Sequence, residues 1–78
     1  MSKSLLRKAY KQYIKACNSD INNYEAEYTI FMNICISISK QIGIYWGIIL
    51  EQITIVVKQQ KDFNTLIKIL KLLGVNYE

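Results

Sequence analysis

Apolar residues recur along this chain at three- and four-residue steps in four successive stretches, the spacing that gathers them on one side of an α-helix. Between residues 4 and 17, Leu5, Leu6, Ala9, Tyr10, Tyr13, Ile14 and Cys17 fall on one side, and Lys3, Arg7, Lys8, Lys11 and Lys15 on the other. Ser2 or Ser4 is placed to cap this first helix. Asn18, Ser19 and Asp20 then form a turn, with Ser19 or Asp20 as the N-cap of a second helix whose early turns carry Glu25 and Glu27, favourable near a helix N-terminus. Its seam runs through Ile21, Tyr24, Tyr28, Phe31, Cys35, Ile38 and Ile42. Ile30, Met32, Ile34 and Ile36 widen that stripe, so this half of the helix is expected to be covered on more than one side. The alternation in TIFMNICISIS also fits a strand of β-branched residues. The flanking segments offer no sheet partner, and helix is the expectation.

Gly43, with Gly47 nearby, closes the second helix, and a third is expected over residues 45–60 with Ile48, Ile49, Ile53, Val56 and Val57 buried. Glu51, Gln52, Lys58 and Gln59 are its candidates for water. Asp62 can cap a fourth helix in which Leu66, Ile69, Leu70 and Leu73 share a face, Lys68 and Lys71 lie opposite, and Gly74 supplies the stop. Residues 34–60, ICISISKQIGIYWGIILEQITIVVKQQ, contain no Pro and are too densely apolar for a helix with one wet side. They are expected to be the centre against which both ends of the chain pack. The reading is an all-α fold: a compact bundle of four helices, the central pair long and apolar, in one domain over residues 1–78.

Length and composition sharpen this picture. A chain of 78 residues forms one small domain with a stability margin of a few kcal/mol, on the order of what such cores supply. Its apolar share of 51% exceeds what one small core can hide, which points to apolar surface buried against another chain, a homodimer or higher assembly or a complex. The enrichment in Ile, Asn, Lys and Tyr resembles chains from AT-rich genomes, among them phages, viruses and mobile elements. The basic start, MSKSLLRKAYK, is not followed by the apolar run and cleavage site of a secretory signal, which gives a cytoplasmic expectation. Lys40 and Glu51 interrupt the most apolar region, so no transmembrane segment is expected.

Candidate chemistry is sparse. There is no His, so a zinc site has too few ligands, and Glu25 and Glu27 stand two residues apart on different faces. Phosphate loops, nucleophile–base pairs and dinucleotide fingerprints are absent from the sequence. No cofactor and no metal are expected, and the chain is not expected to be an enzyme. Cys17 and Cys35 both fall on apolar helical positions and read as small buried hydrophobes, with a disulfide as the alternative.

The ending DFNTLIKILKLLGVNYE resembles the last helix of phage-repressor-type helix-turn-helix domains, in particular addiction-module antitoxins, through Thr65, Leu66, Lys68, Ile69, Leu70, Lys71, Leu73 and Gly74. The resemblance extends upstream to SISKQIGIYWGIILEQ, where Gly43 would be the turn glycine, Ser39 the small crossing residue, and Ile38, Ile42, Ile44 and Ile49 the packing positions. It implies a DNA-binding repressor or antitoxin. Two departures accompany it: Gln52 stands where an apolar residue is usual, and Tyr45, Trp46, Gly47, Ile48 and Leu50 occupy the face that would need polar side chains to bond base edges.

The expected function is therefore that of a small protein-binding module, a self-associating regulator or inhibitor working through apolar and aromatic surface with a basic rim. Tyr45 and Trp46 are its candidate anchors, with Tyr24 and Tyr28 as further partner-binding residues, since exposed aromatics carry interface energy. The rim consists of Arg7, Lys8, Lys11, Lys15, Lys40 and Lys58. The plainer alternatives are a core Trp46 and cations that only keep a face wet. A helix-turn-helix DNA binder, with Lys40, Lys58, Lys61 and the basic first helix on phosphates, is the second reading. A membrane-surface helix over residues 2–17 is the third.

Overall fold

The computed structural model describes residues 3–75, in four helices: α1 (Lys3–Asn18), α2 (Ile21–Ile42), α3 (Trp46–Lys58) and α4 (Phe63–Leu72). Aspartates start two of them. Asp20 Oδ1 accepts the Asn23 N–H at 3.0 Å, and Asp62 Oδ1 accepts both the N–H and the hydroxyl of Thr65 at 2.9 Å, so each carboxylate satisfies a donor that the first helical turn leaves unpaired. Ser19 instead donates its hydroxyl to the Ala16 carbonyl at 2.7 Å and closes α1. Ser4 lies within α1 rather than ahead of it, and Ser2 lies outside the described residues.

Left-handed residues stop three of the helices. Gly43, at φ 75°, sends its N–H to the Ser39 carbonyl at 2.8 Å. The ends of α3 and α4 repeat one pattern. Gln60 and Gly74 donate to Val57 and Lys71, each at 3.0 Å, and the following Lys61 and Val75 reach back to Val56 at 3.0 Å and Leu70 at 3.1 Å. This is the Schellman arrangement, in which the residue after the left-handed one often packs on the last turn. Val75 does so and is buried, a core position with no helical periodicity to announce it.

α1 and α2 form an antiparallel hairpin across a two-residue turn. The Tyr13 and Phe31 rings meet at 4.9 Å, the Gln12 amide donates to the Glu27 carboxylate at 2.8 Å and to its backbone carbonyl at 2.9 Å, and Lys15 Nζ approaches the same carboxylate at 3.6 Å. α3 packs on both members of the hairpin and α4 packs on α3. The core is drawn from every helix, with Leu6, Phe31, Cys35, Ile38, Ile49, Ile53, Val56, Leu66 and Leu70 almost wholly removed from water. Each of the larger aliphatic and aromatic side chains among them contributes roughly 1.5–3 kcal/mol of burial. The radius of gyration, 11.9 Å, is close to the roughly 11.5 Å of a compact chain of this length.

The expected all-α bundle of four helices is the fold, and the apolar pair α2 and α3 is central to it, although the most extensive partner of α2 is α1. TIFMNICISIS is continuous helix within α2. α3 is shorter than residues 45–60 because Tyr45 is its N-cap and Gln59 and Gln60 belong to its closing turn.

Periodicity misplaced several side chains. Cys17, expected to be buried, is exposed, because the buried stripe of α1 runs from Tyr13 to Ala16 and leaves Cys17 at its edge. Cys35 is buried, and both thiols are free rather than bridged. Ile21, placed on the seam, is 90% exposed at the first position of α2, and Ile48 and Leu73 face water at the edges of their stripes. Gln52 is half-buried, and no polar side chain is fully buried among the described residues.

Candidate functional site

A recess opens where α1, α2 and α3 meet. α2, with 22 residues, runs for about 33 Å, whereas α3, with 13, runs for about 20 Å after the Gly43 corner. The corner itself is held shut by the Ser39 hydroxyl, which donates to the Ile44 carbonyl. α3 packs against both α2 and α1.

The groove between these three helices has a volume of about 450 Å³ and is lined by Tyr13 from α1, Tyr24 and Tyr28 from α2, and Leu50, Glu51, Thr54, Ile55 and Lys58 from α3. Its aromatic wall is ordered by ring contacts. Tyr24 stacks on Tyr28 at 5.8 Å with 26° between planes, and Tyr28 meets Phe31 edge-on at 5.7 Å and Tyr13 at 6.4 Å. Tyr24 is 41% exposed, Tyr28 half-buried, and Tyr13 buried at the floor. Burial, followed by the neighbouring Cys17 thiol, pushes the Tyr13 hydroxyl up to about 12, and burial likewise raises Tyr28. Both phenols are neutral near pH 7; Tyr28 presents part of its ring to the groove, while Tyr13 is buried beneath it with its hydroxyl engaged by Cys17 and Thr54. Glu51 and Lys58 supply one charge of each sign, two helical turns apart along α3.

Two other features were candidates. Arg7, Lys8, Lys11 and Lys15 do line one strip of α1, with Ser4 and Gln12, around a shallow hollow of about 420 Å³. That hollow belongs to a single helix and is the space between long side chains. Two of its cations also have partners within the fold. Lys15 sits by Glu27, and the Arg7 guanidinium lies 4.4 Å from the Phe63 ring centre. Phe63 is further held by Tyr10, whose ring is 5.6 Å away and whose hydroxyl donates to the Lys61 carbonyl at 3.3 Å. α1 spends its apolar side on the core through Leu6, Ala9, Tyr13 and Ala16, which leaves charge alone for any contact with lipid.

Tyr45 and Trp46 stand together at the opposite end of α3 from Lys58, with ring centres 5.5 Å apart. Tyr45 is 62% exposed and its ring lies on Gly47, while Trp46 is half-buried. Lys40 lies in the last turn of α2, exposed and favourably placed on the negative end of that helix.

The structure thus brings Tyr24, Tyr28 and Lys58 into one groove and leaves Tyr45 and Trp46, Lys40, and the α1 strip outside it. Tyr13, Leu50, Thr54 and Ile55 were missed as lining residues. Leu50, Thr54 and Ile55 follow each other at four- and one-residue steps and form a second stripe on α3, a signal that the denser first stripe hides.

Among the described residues, no group of His, Cys, Asp or Glu gathers in a way that would hold a metal ion, and no helix is long and apolar enough to cross a membrane. Comparison with known proteins gives no match: no family model fits the chain, and no curated protein or solved structure is significantly similar to it.

Proposed function

We propose that this chain is a protein-binding module, a small cytoplasmic regulator or inhibitor that acts by seating an apolar helical segment in the tyrosine-lined groove. The observation that carries this reading is the groove itself, where the partly exposed Tyr24 stacks on Tyr28 beside Leu50, Thr54 and Ile55 of α3. The groove has the make-up of a binding recess: aromatic and aliphatic walls with one charge of each sign among them. Its contents suit a ridge of Leu, Ile or Phe at helical spacing.

Selection of displayed helical peptides on the wild-type chain, with counter-selection on a Thr54→Arg variant that fills the groove, tests this. Peptides with an apolar stripe should survive, and NMR shifts should map them to Tyr24, Tyr28, Leu50 and Ile55. Peptides that bind unchanged to the variant, or that map to Tyr45 and Trp46, would overturn the reading.

DNA binding of the helix-turn-helix kind is the second reading, supported by the α1 strip and the net charge of +4. The exposed apolar residues Tyr45 and Ile48 on α3 weigh against base reading. Duplex binding that fades steeply as salt rises would favour it, and none at low salt would end it.

A further inference from the structure

We infer that α1 is a second binding surface, a contact for duplex nucleic acid held by its phosphates without regard to base sequence. α1 carries five of the ten cations and none of the six acids, so the rest of the chain sums to −1. The net charge of +4 is thus the charge of one helix and not a property spread over the surface. The fold keeps that charge in a line. Ser4, Lys8, Lys11 and Lys15 follow at four-, three- and four-residue steps, within about 60° of one another around the helix, while Leu6, Ala9, Tyr13 and Ala16 take the opposite side into the core. The line is about 16 Å long, a length over which a duplex presents roughly ten backbone charges. Lys8 and Lys11 stand in its middle, exposed, and neither has an ion pair among the described residues. Because Tyr13 belongs to the groove, strip and groove lie on opposite sides of α1 and can be occupied together.

The chemistry of the strip separates phosphate from other anionic partners. Its lining consists of cations, a hydroxyl and an amide, with no aromatic or aliphatic side chain among them. Protein interfaces draw their energy from buried aromatic anchors and are poor in Lys, and helices that lie on membranes sink an apolar face into the lipid. α1 spends its apolar side on the core and offers neither. Contacts to a nucleic-acid backbone need only the donors that the strip supplies. The helix-turn-helix reading sets α3 against bases, whereas this contact uses α1 and requires no base to be read.

Fluorescence anisotropy with the intact chain and two labelled DNA duplexes of unrelated sequence, titrated from about 20 to 200 mM salt, tests the contact. Both duplexes should bind within about twofold of each other, and affinity should fall with a log–log slope of about −3 as Lys8, Lys11 and Lys15 each displace a counterion. Lys8→Gln with Lys11→Gln should weaken binding about tenfold at low salt and bring the slope to about −1, with the helical signal kept because both side chains are exposed. Arg7 and Lys15 are left intact because each is engaged within the fold. Lys40→Gln with Lys71→Gln removes the same charge from the last turns of α2 and α4 and should change binding less than twofold. Absence of binding at low salt, a strong preference for one duplex, or equal losses from the two pairs of substitutions overturns the inference. So does binding to polyglutamate or to vesicles of phosphatidylserine and phosphatidylcholine that is as tight as to duplex and depends on the same two lysines. The groove takes no part in these measurements, so the protein-binding reading stands or falls separately.

Discussion

The ring of Tyr45 occupies the place where a side chain on Gly47 would begin: a Cβ built there would lie 2.5 Å from the ring carbon Cε2. Gly47 is therefore a seat for an aromatic ring within the first turn of α3 and not a hinge. Replacing it with Ala adds about 1 kcal/mol of helix propensity and forces the ring to swing away. Tyr45 is mostly exposed and free to turn, so Gly47→Ala should stabilise the fold slightly in urea titration. Trp46 emission should change at the same time, because its neighbour at 5.5 Å has moved. A clear loss of stability would show that the ring is pinned.

α3 and α4 end in the same backbone pattern with different residues at the left-handed position, Gln60 at φ 58° and Gly74 at φ 90°. A side chain there costs roughly 1–2 kcal/mol, a penalty glycine escapes. Gln60→Gly should raise the urea midpoint by an amount equivalent to about 1 kcal/mol, and Gly74→Ala should lower it by a similar amount. Equal behaviour of the two sites would contradict the pattern.

The thiols differ in access. Cys17 is exposed and Cys35 is buried, with burial pushing the Cys35 thiol up to about 12. An aromatic disulfide reagent at neutral pH should modify one thiol per chain quickly, and peptide mapping should place it at Cys17. The second should react only at the rate at which the fold opens. Rapid modification of both would mean that the α1–α2 hairpin breathes.

Alkali should destabilise the fold in a defined window. Cys35 rises from its ordinary 9.0, and Tyr13 from its ordinary 10.0, each to about 12. The unfolded chain thus gives up these protons first as pH climbs, and the stability they contribute is complete below pH 9 and drains away between there and about pH 12. Asp62 acts at the other limb. Its bonds from the Thr65 N–H and hydroxyl hold the carboxyl below its ordinary 3.8, so its contribution is present above that value and is lost as pH falls through the lowered one. Thermal melts across pH should show both limbs, and Asp62→Asn should flatten only the acidic one. An acidic limb unchanged in that variant would mean another carboxylate controls it.

Local signals in the sequence carried most of the fold. Asp20, Asp62, Gly43 and Gly74 act through the residues beside them, so their roles follow from short-range chemistry alone. The inner stripe of Phe31, Cys35, Ile38, Ile49, Ile53, Val56, Leu66 and Leu70 likewise follows from spacing. Periodicity gives the direction of a side chain but not whether another helix extends far enough to meet it. Ile21, Tyr24 and Cys17 lie on or beside the apolar stripes of their helices, yet all three are exposed. The groove was illegible for the same reason, since it is formed by side chains of three helices whose mutual packing no single stripe records. Arg7 on Phe63 joins residues at opposite ends of the chain and leaves no trace in either local pattern.

The two-residue turn between α1 and α2 also has a consequence in time. Ser19 and Asp20 each terminate or initiate a helix through a bond to a residue three positions away, so little loop entropy opposes the meeting of Tyr13 with Phe31. Helical chains whose partners are neighbours in sequence assemble in roughly microseconds to milliseconds. The hairpin is set to nucleate first, giving α3 and α4 a preformed surface on which to condense.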